Sequence, residues 1–129
     1  MKVRQLRADY SQLLTGVSIP ARYVYLCLQP LVDDDGRIVC EYRRLWSRIF
    51  PTGELGTETE LIEWLNELDN ADLIEIYEID QVRYLEVADF KIYQRPNRTS
   101  KSRLPASPKS TRAPLPVAPL EDGRAWAVK

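Results

Sequence analysis

The sequence contains no histidine, and this absence removes the commonest acid–base catalyst, histidine-based catalytic triads and most zinc sites. Cysteine is almost as scarce. Cys27 and Cys40 are the only two, and their spacing fits neither a disulfide framework nor a Cys-x-x-Cys metal pair. We expect two reduced, mostly buried thiols in a cytoplasmic protein.

Long apolar runs and glycine-rich loops are also missing. No stretch of about 18 apolar residues is present, so we expect no membrane span. The first seven residues alternate basic with uncharged side chains and lack an apolar core, which is not typical of a signal peptide. The five glycines are scattered, and no phosphate-cradling loop can be built from them.

One acidic turn, Asp33-Asp34-Asp35-Gly36, superficially suggests a calcium loop. An EF-hand loop with Gly36 at its sixth position needs an acid at position 31 and a glutamate at position 42. The sequence has Leu31 and Tyr42 there, so the match fails. We predict a solvated turn, no metal, no cofactor and no enzyme activity.

The charges divide the chain into two parts. Residues 1–90 carry nine basic and 17 acidic residues, whereas residues 91–129 carry nine basic and two acidic ones. Six of the nine prolines fall in residues 95–129, where helical and strand periodicity is lost. We therefore predict a folded domain over residues 1–94 and a basic, Pro/Ser-rich, largely irregular tail over residues 95–129.

Local signals in the first 94 residues predict an α+β domain. Ser18 is a good helix N-cap before an apolar run that Pro30 ends, and a short strand is predicted over residues 37–40. A second helix is predicted over residues 41–50, and Thr57 with Glu60 forms a capping box that opens a third. Two strands, residues 73–77 and 82–87, then form a hairpin with its turn at Asp80-Gln81.

This order of elements is that of a winged helix-turn-helix domain, three helices with a β-hairpin wing, followed here by an extended basic Pro-rich C-terminal tail. The residues expected in its core are apolar and recur at helical or strand spacing. They are Tyr23, Leu26, Cys27, Leu45, Trp46, Ile49, Leu61, Leu65, Leu68, Ile74, Ile76, Leu85 and Val87.

Basic residues supply the candidate nucleic-acid contacts. Arg43, Arg44 and Arg48 lie on the second helix, where they favour either phosphate contacts or ion pairs with the acidic body. Arg83 lies on the wing, and the N-terminus of the third helix offers Thr57 and Thr59. A basic arm follows, without an acid between its members: Lys91, Arg95, Arg98, Lys101, Arg103, Lys109 and Arg112.

The third helix is acidic, although a helix-turn-helix domain normally reads DNA with it. No lysine or arginine occurs between Arg48 and Arg83, and carboxylates repel phosphates. Two interpretations remain open for this helix: a solvated acidic face, or a surface for a basic protein. We expect DNA to lie against the second helix, held by the arm, with little base reading.

Two segments of the chain are distinctive: Ile49-Phe50-Pro51, at the end of the second helix, and residues 90–105. In these segments above all, the chain resembles a set of phage and prophage proteins, the replication-initiator-like winged helix-turn-helix proteins. The likeness spans residues 2–105. Its other parts are residues 3–7, 18–28, 34–37, 61–68 and 71–74, together with Tyr77 and Tyr84.

That resemblance implies a non-enzymatic DNA-binding protein that acts in phage DNA replication initiation or gene control inside the bacterial host cell. The alternative from composition is an acidic interaction module that docks on, or blocks, a nucleic-acid-handling protein of host or phage.

Overall fold

The structure is a computed structural model that describes residues 4, 6–53, 55–94 and 103–108. These residues form an α+β fold with one three-stranded antiparallel sheet, which confirms the predicted class. None of the helices in the described ranges is long and apolar enough to cross a membrane. In chain order, the elements are α1 (Tyr10–Leu13), α2 (Ile19–Leu28), β1 (Arg37–Val39), α3 (Tyr42–Ile49), α4 (Glu58–Asn70), β2 (Ile74–Ile79), β3 (Val82–Val87) and α5 (Phe90–Tyr93).

The three longer helices begin where their capping residues predict. The Ser18 side chain accepts a hydrogen bond from the Ala21 N–H at the start of α2. Thr57 and Glu60 complete the capping box of α4, in which each side chain accepts from the other's backbone N–H. Glu41, predicted inside the second helix, is instead the N-cap of α3. Since caps satisfy otherwise orphaned N–H groups, these local signals fix the helix starts.

The sheet places β3 between β1 and β2. Asp80 and Gln81 form the two-residue hairpin turn with φ values of 53° and 68°. Positive φ at both positions matches the right-handed twist of paired strands, and the predicted turn is confirmed. β2 continues through Ile79, two residues beyond the predicted strand.

The core lies between the helices and one face of the sheet. Most of the predicted core residues are buried there: Leu45, Ile49, Leu61, Leu65, Leu68, Ile74, Leu85 and Val87. Cys27, Trp46 and Ile76 are half-buried at its edge. The sequence missed a second set of buried residues, among them Leu14, Val17, Val32 and Phe90.

Two predicted core residues on α2 are wrong. Tyr23 and Leu26 remain 42% and 37% exposed, respectively. The buried face of α2 consists instead of Ala21, Val24, Tyr25 and Leu28, a spacing that follows the helical period. Because α2 has apolar residues on both its inner and its outer side, the helical period in its sequence does not show which side faces the core.

The two one-turn helices, α1 and α5, were not predicted, because four residues are too few to show a helical period. α5 still matters for the fold, since its Phe90 is buried against Gly36. Gly36 has a φ of 84°, and a Cβ there would lie 2.6 Å from the Phe90 Cβ. The acidic turn therefore needs glycine both for its backbone and for this close approach.

Candidate nucleic-acid interface

The basic residues of α3 share its solvent-facing side. Its core side is formed by Leu45 and Ile49, which are buried, with Tyr42 and Trp46 half-buried beside them. The opposite side, which we call the outward face of α3, is exposed and consists of Arg43, Arg44, Ser47 and Arg48. The helical period thus separates these residues into an apolar inner side and an outer side whose only charges are positive.

The first turn of α3 is held from both sides. The Glu41 carboxylate accepts a hydrogen bond of 2.8 Å from the Arg44 N–H. The Arg83 guanidinium, from β3, lies 4.8 Å from the centre of the Tyr42 ring, within cation–π range. Burial raises the pKa of the Tyr42 phenol to about 12 and that of the Cys40 thiol to about 12. Both groups are therefore neutral at physiological pH.

A shallow cleft of about 530 Å³ lies between the hairpin turn and the first turns of α3 and α4. Arg43 and Arg83, which the sequence placed on separate elements, both line it. Glu58 faces Arg43 across the cleft at 3.9 Å, so the charges here are mixed. The full lining is Val39, Cys40, Glu41, Tyr42, Arg43, Glu58, Glu78, Gln81, Val82 and Arg83. Sequence reasoning missed Tyr42, because its contact with Arg83 joins the start of α3 to a strand that lies about 40 residues later in the chain.

The start of α4 offers less to a phosphate than the sequence suggested. The Thr57 N–H donates to the Glu60 carboxylate at 2.9 Å, and the Thr57 hydroxyl accepts from the Glu60 N–H at 3.1 Å. Both polar groups of Thr57 are therefore used inside the capping box. Glu58 and Glu60 also place two carboxylates in the first turn, where their negative charges offset the positive end of the helix dipole. Thr59 is exposed.

The acidic side chains of α4 are largely engaged within the chain. Glu58 pairs with Arg43 and Glu60 completes the cap. Glu67 accepts hydrogen bonds from the N–H and, at 2.9 Å, the hydroxyl of Ser18, which ties α4 to the start of α2. Glu63 is exposed. The face that looked uniformly acidic in sequence is, for the most part, used in building the fold.

The structure describes two members of the predicted basic arm. Lys91 lies on α5, and its Nζ is 2.7 Å from the Asp35 carboxylate of the acidic turn. Arg103 is exposed. The remaining members lie outside the described residues: Arg95, Arg98, Lys101, Lys109 and Arg112.

Residues 103–108, which we call the strap, lie within the segment that we predicted to be a largely irregular tail. They are irregular, but they contact the face of the sheet that points away from the helices. The Arg37 guanidinium donates to the Leu104 carbonyl at 3.2 Å, and the Tyr77 hydroxyl donates to the Pro105 carbonyl at 2.7 Å.

Ser107 carries the most buried contacts of the strap. Its hydroxyl donates to the Glu75 carboxylate, and its N–H donates to the Glu86 carboxylate at 3.1 Å. Glu86 also accepts a hydrogen bond from the Arg37 guanidinium at 3.0 Å. Arg37, Glu86 and Glu75 are neighbours across the three strands, and together they hold the strap. Burial, with the nearby Glu86 carboxylate adding to it, raises the pKa of the Tyr77 phenol. Because these are long-range polar contacts to an irregular segment, no periodicity in the sequence signals them.

The described ranges contain no group of three or more Cys, Asp or Glu residues suited to hold a metal ion. Asp33, in the acidic turn, instead accepts hydrogen bonds from the backbone N–H groups of Asp35 and Arg37. Comparison with protein-family models, with curated proteins and with solved structures found no match to this chain.

Proposed function

We propose that this protein binds DNA, without catalysis, through a winged-helix body and a basic tail, and acts in phage DNA replication initiation or in gene control. The observation that carries the proposal is the outward face of α3. It presents Arg44 and Arg48, with Arg43 beside them 3.9 Å from Glu58, on a helix whose opposite side is fixed in the core. Phosphate neutralisation by such side chains supplies most of the affinity of non-specific DNA binding.

The topology supports the same proposal. α2, β1, α3, α4 and the β2–β3 hairpin follow the chain order of a winged-helix domain, and β1 pairs with β3 at the base of the hairpin. In this reading, the hairpin is the wing. Arg83 on the hairpin and Arg43 on α3 line the same cleft, so the wing and the basic helix each bring one positive charge to it, beside Glu41, Glu58 and Glu78.

Contact with DNA is assigned to α3, not to α4, because of charge. In a helix-turn-helix unit the first helix crosses the phosphate backbone while the second enters the major groove. Here the first helix, α3, carries the arginines and the second, α4, carries carboxylates. We therefore expect binding that depends strongly on salt and weakly on base sequence.

The alternative, an acidic module for a basic protein, finds less support in the contacts. Glu58, Glu60 and Glu67 already have partners inside the chain. A partner protein would have to compete for these carboxylates. Among the acids of α4 with no such bond described above, Glu63 is exposed and offers a single negative charge at the surface.

The test is DNA binding by the full chain as a function of salt. Replacing Arg44 and Arg48 together by alanine should weaken binding and reduce the slope of log K against log salt by about two, since each lost phosphate contact removes about 0.9. Ser47→Ala is the matched control, because Ser47 lies on the same outward face and carries no charge. Equal slopes for the double variant and the wild type would contradict the proposal.

A second arm of the experiment examines the tail without disturbing the strap. Truncation after Pro108 removes Lys109 and Arg112 but keeps every described contact of residues 103–108 with the sheet. We expect a further loss of affinity that adds to that of the α3 variant, because separated phosphate contacts act independently. Failure of the wild-type protein to bind duplex or single-stranded DNA at about 50 mM salt would exclude the whole proposal, because the electrostatic attraction is strongest at low salt.

A further inference from the structure

The face of the sheet that points away from the helices, which we call the outer face, combines aromatic rings with carboxylates. Glu75 and Tyr77 of β2 lie directly opposite Glu86 and Tyr84 of β3. Residues two apart on a strand share a face, so all four side chains lie together. The two tyrosine rings are stacked with their centres 5.7 Å apart. The outer face therefore offers a flat aromatic surface beside two negatively charged hydrogen-bond acceptors.

The strap lies on this face as a peptide of restricted conformation. Its sequence over residues 104–108 is Leu-Pro-Ala-Ser-Pro, with prolines three residues apart. Each proline fixes its own φ and also restricts the residue before it, here Leu104 and Ser107. Leu104, Pro105 and Ala106 are half-buried, and Ser107 is 1% exposed. A segment whose backbone is already restricted loses less conformational entropy when it binds, which favours docking.

The strap is held through its backbone and through a serine side chain. Two carbonyls and one N–H of the strap make hydrogen bonds to the sheet. Backbone groups of this kind occur in any sequence and do not discriminate among peptides. The Ser107 hydroxyl, in contrast, donates to the Glu75 carboxylate. This bond depends on which side chain occupies the position, so it distinguishes serine from a residue without a hydroxyl.

We propose that the outer face is a recognition site for peptides with the pattern Pro-x-Ser-Pro, and that the strap is its internal ligand. Glu75, which selects the serine, is 6% exposed. A buried carboxylate requires hydrogen-bond donors, and an alanine methyl group supplies none. A peptide with alanine in place of the serine should therefore bind about tenfold to a hundredfold more weakly, the usual cost of losing a hydrogen bond to a charged group.

The chain contains a second, related sequence that differs at the serine. Residues 115–119 read Leu-Pro-Val-Ala-Pro, which repeats the leucine and both prolines of the strap at the same spacing. Ala118 stands where the strap has Ser107. Residues 115–119 lie outside the described part of the chain. The segment that the structure places on the outer face is the one with serine, as expected if Glu75 selects it.

The length of the connection sets the affinity that the strap needs. Gln94, the residue after α5, and Arg103 are separated by eight residues of sequence. A connection this short gives the strap an effective concentration on the order of 1 mM at its site. A free peptide of residues 102–109 should therefore bind the open site with a Kd below about 1 mM, and it should compete with the strap in the wild-type chain.

Peptide binding to the full chain tests the proposal. A peptide of residues 102–109 is titrated into isotopically labelled protein, and the NMR signals of β2 and β3 report its binding. Ser107→Ala removes the hydroxyl of the strap, so this variant should bind the peptide about tenfold more tightly than the wild type does. Ser47→Ala, which removes an exposed serine hydroxyl from α3, is the matched control and should behave like the wild type. Ser107→Asp is a second opening variant, because it places a third carboxylate against Glu75 and Glu86.

The selectivity of the site is tested separately in the Ser107→Ala background. This variant should prefer the serine peptide over the same peptide with alanine at position 107 by about tenfold or more. Both peptides meet the same competing strap, so the ratio of their affinities is independent of it. Adding Glu75→Gln weakens the bond to the hydroxyl, because the amide carries no charge, and the preference should fall to about threefold. Glu78→Gln, on the same strand but with its side chain on the opposite face, should leave the preference unchanged.

Equal binding of the peptide by the wild type and both opening variants would overturn the proposal, as would the absence of binding up to about 1 mM peptide. Equal affinity of the Ser107→Ala variant for the serine and alanine peptides would show that Glu75 does not select the serine. No DNA is present in these titrations, so their outcome is separate from that of the proposed function.

Discussion

α3 and α4 are consecutive helices packed on the same core, yet they use their charges in opposite ways. α4 employs Glu58, Glu60 and Glu67 in an ion pair, a helix cap and a bond to the start of α2. On α3, Arg44 and Arg48 are exposed, and neither makes an ion pair with another described residue. The number of charges on a helix therefore does not identify a binding face. Charges that the fold leaves uncommitted are the ones available to a partner.

The largest expected effect is on the inner side of α4. Leu65 is fully buried, so Leu65→Ala should reduce the free energy of unfolding by about 2–5 kcal/mol through lost burial and the cavity left behind. Chemical denaturation monitored by circular dichroism measures this. Ile62→Ala on the same helix is the control, since Ile62 is only partly buried and should lose less. Equal losses for the two variants would mean that α4 does not pack on the core through Leu65.

Leu65 also shows what the sequence can predict. Its position follows from a capping box that fixes the start of α4 and from a helical period with polar residues between the apolar ones. On α2 both sides are apolar, and the prediction placed Tyr23 and Leu26 inward when the buried residues are Val24 and Leu28. The signals that start a helix are local in sequence. Which side of a largely apolar helix is buried depends instead on the elements that pack against it.

The candidate site also contains features that the sequence could predict and features that it could not. Sequence spacing alone was enough to place Arg44 and Arg48 on one side of a helix. It could not show that Glu58 is committed to Arg43, or that Arg83 lies over the Tyr42 ring, because these contacts join residues from different elements. The strap escaped prediction for the same physical reason. Its partners Glu75 and Glu86 are charged residues on strands, and a sequence offers no sign that such a residue is buried by a distant serine.

The next largest effect is expected on the reactivity of Cys40, just before the start of α3. Burial raises the pKa of Cys40, just before this helix, to about 12 from an ordinary value of 9.0, and the thiolate is the form that reacts. The native thiol should therefore react with a disulfide reagent about a thousandfold more slowly than in the unfolded chain, because the two pKa values differ by about three. Measuring a Cys27→Ser variant at pH 8 isolates Cys40, and Cys40→Ser isolates the half-buried Cys27.

The raised pKa of Cys40 also determines whether the protein becomes more or less stable at alkaline pH. The folded chain holds the proton of Cys40 more tightly than the unfolded chain does, so ionisation favours unfolding. Its contribution to stability is complete below about pH 9 and is lost progressively as the pH rises toward 12. Rapid reaction of Cys40 in the native protein at pH 8, at the rate of the unfolded chain, would show that the start of α3 opens readily and is not anchored as described.

The smallest expected effect is at Glu63, and it tests the comparison most directly. Glu63 is exposed on α4, so Glu63→Lys should change the free energy of unfolding by no more than about 0.5 kcal/mol. Glu67→Lys is the informative contrast, because it also removes the bonds to Ser18 and should destabilise the protein more. Thermal unfolding of both variants separates the uncommitted charge from the committed one.

DNA binding by the Glu63→Lys variant distinguishes α3 from α4 as the contact surface. If contact lies on the outward face of α3, converting one carboxylate of α4 to an ammonium should leave non-specific binding unchanged or strengthen it, since phosphates are attracted to added positive charge. The titration is done beside the variant that lacks Arg44 and Arg48, at the same salt concentration. Loss of binding on changing Glu63, with binding retained in the arginine variant, would make the acidic helix the recognition surface and reverse the assignment of the two helices.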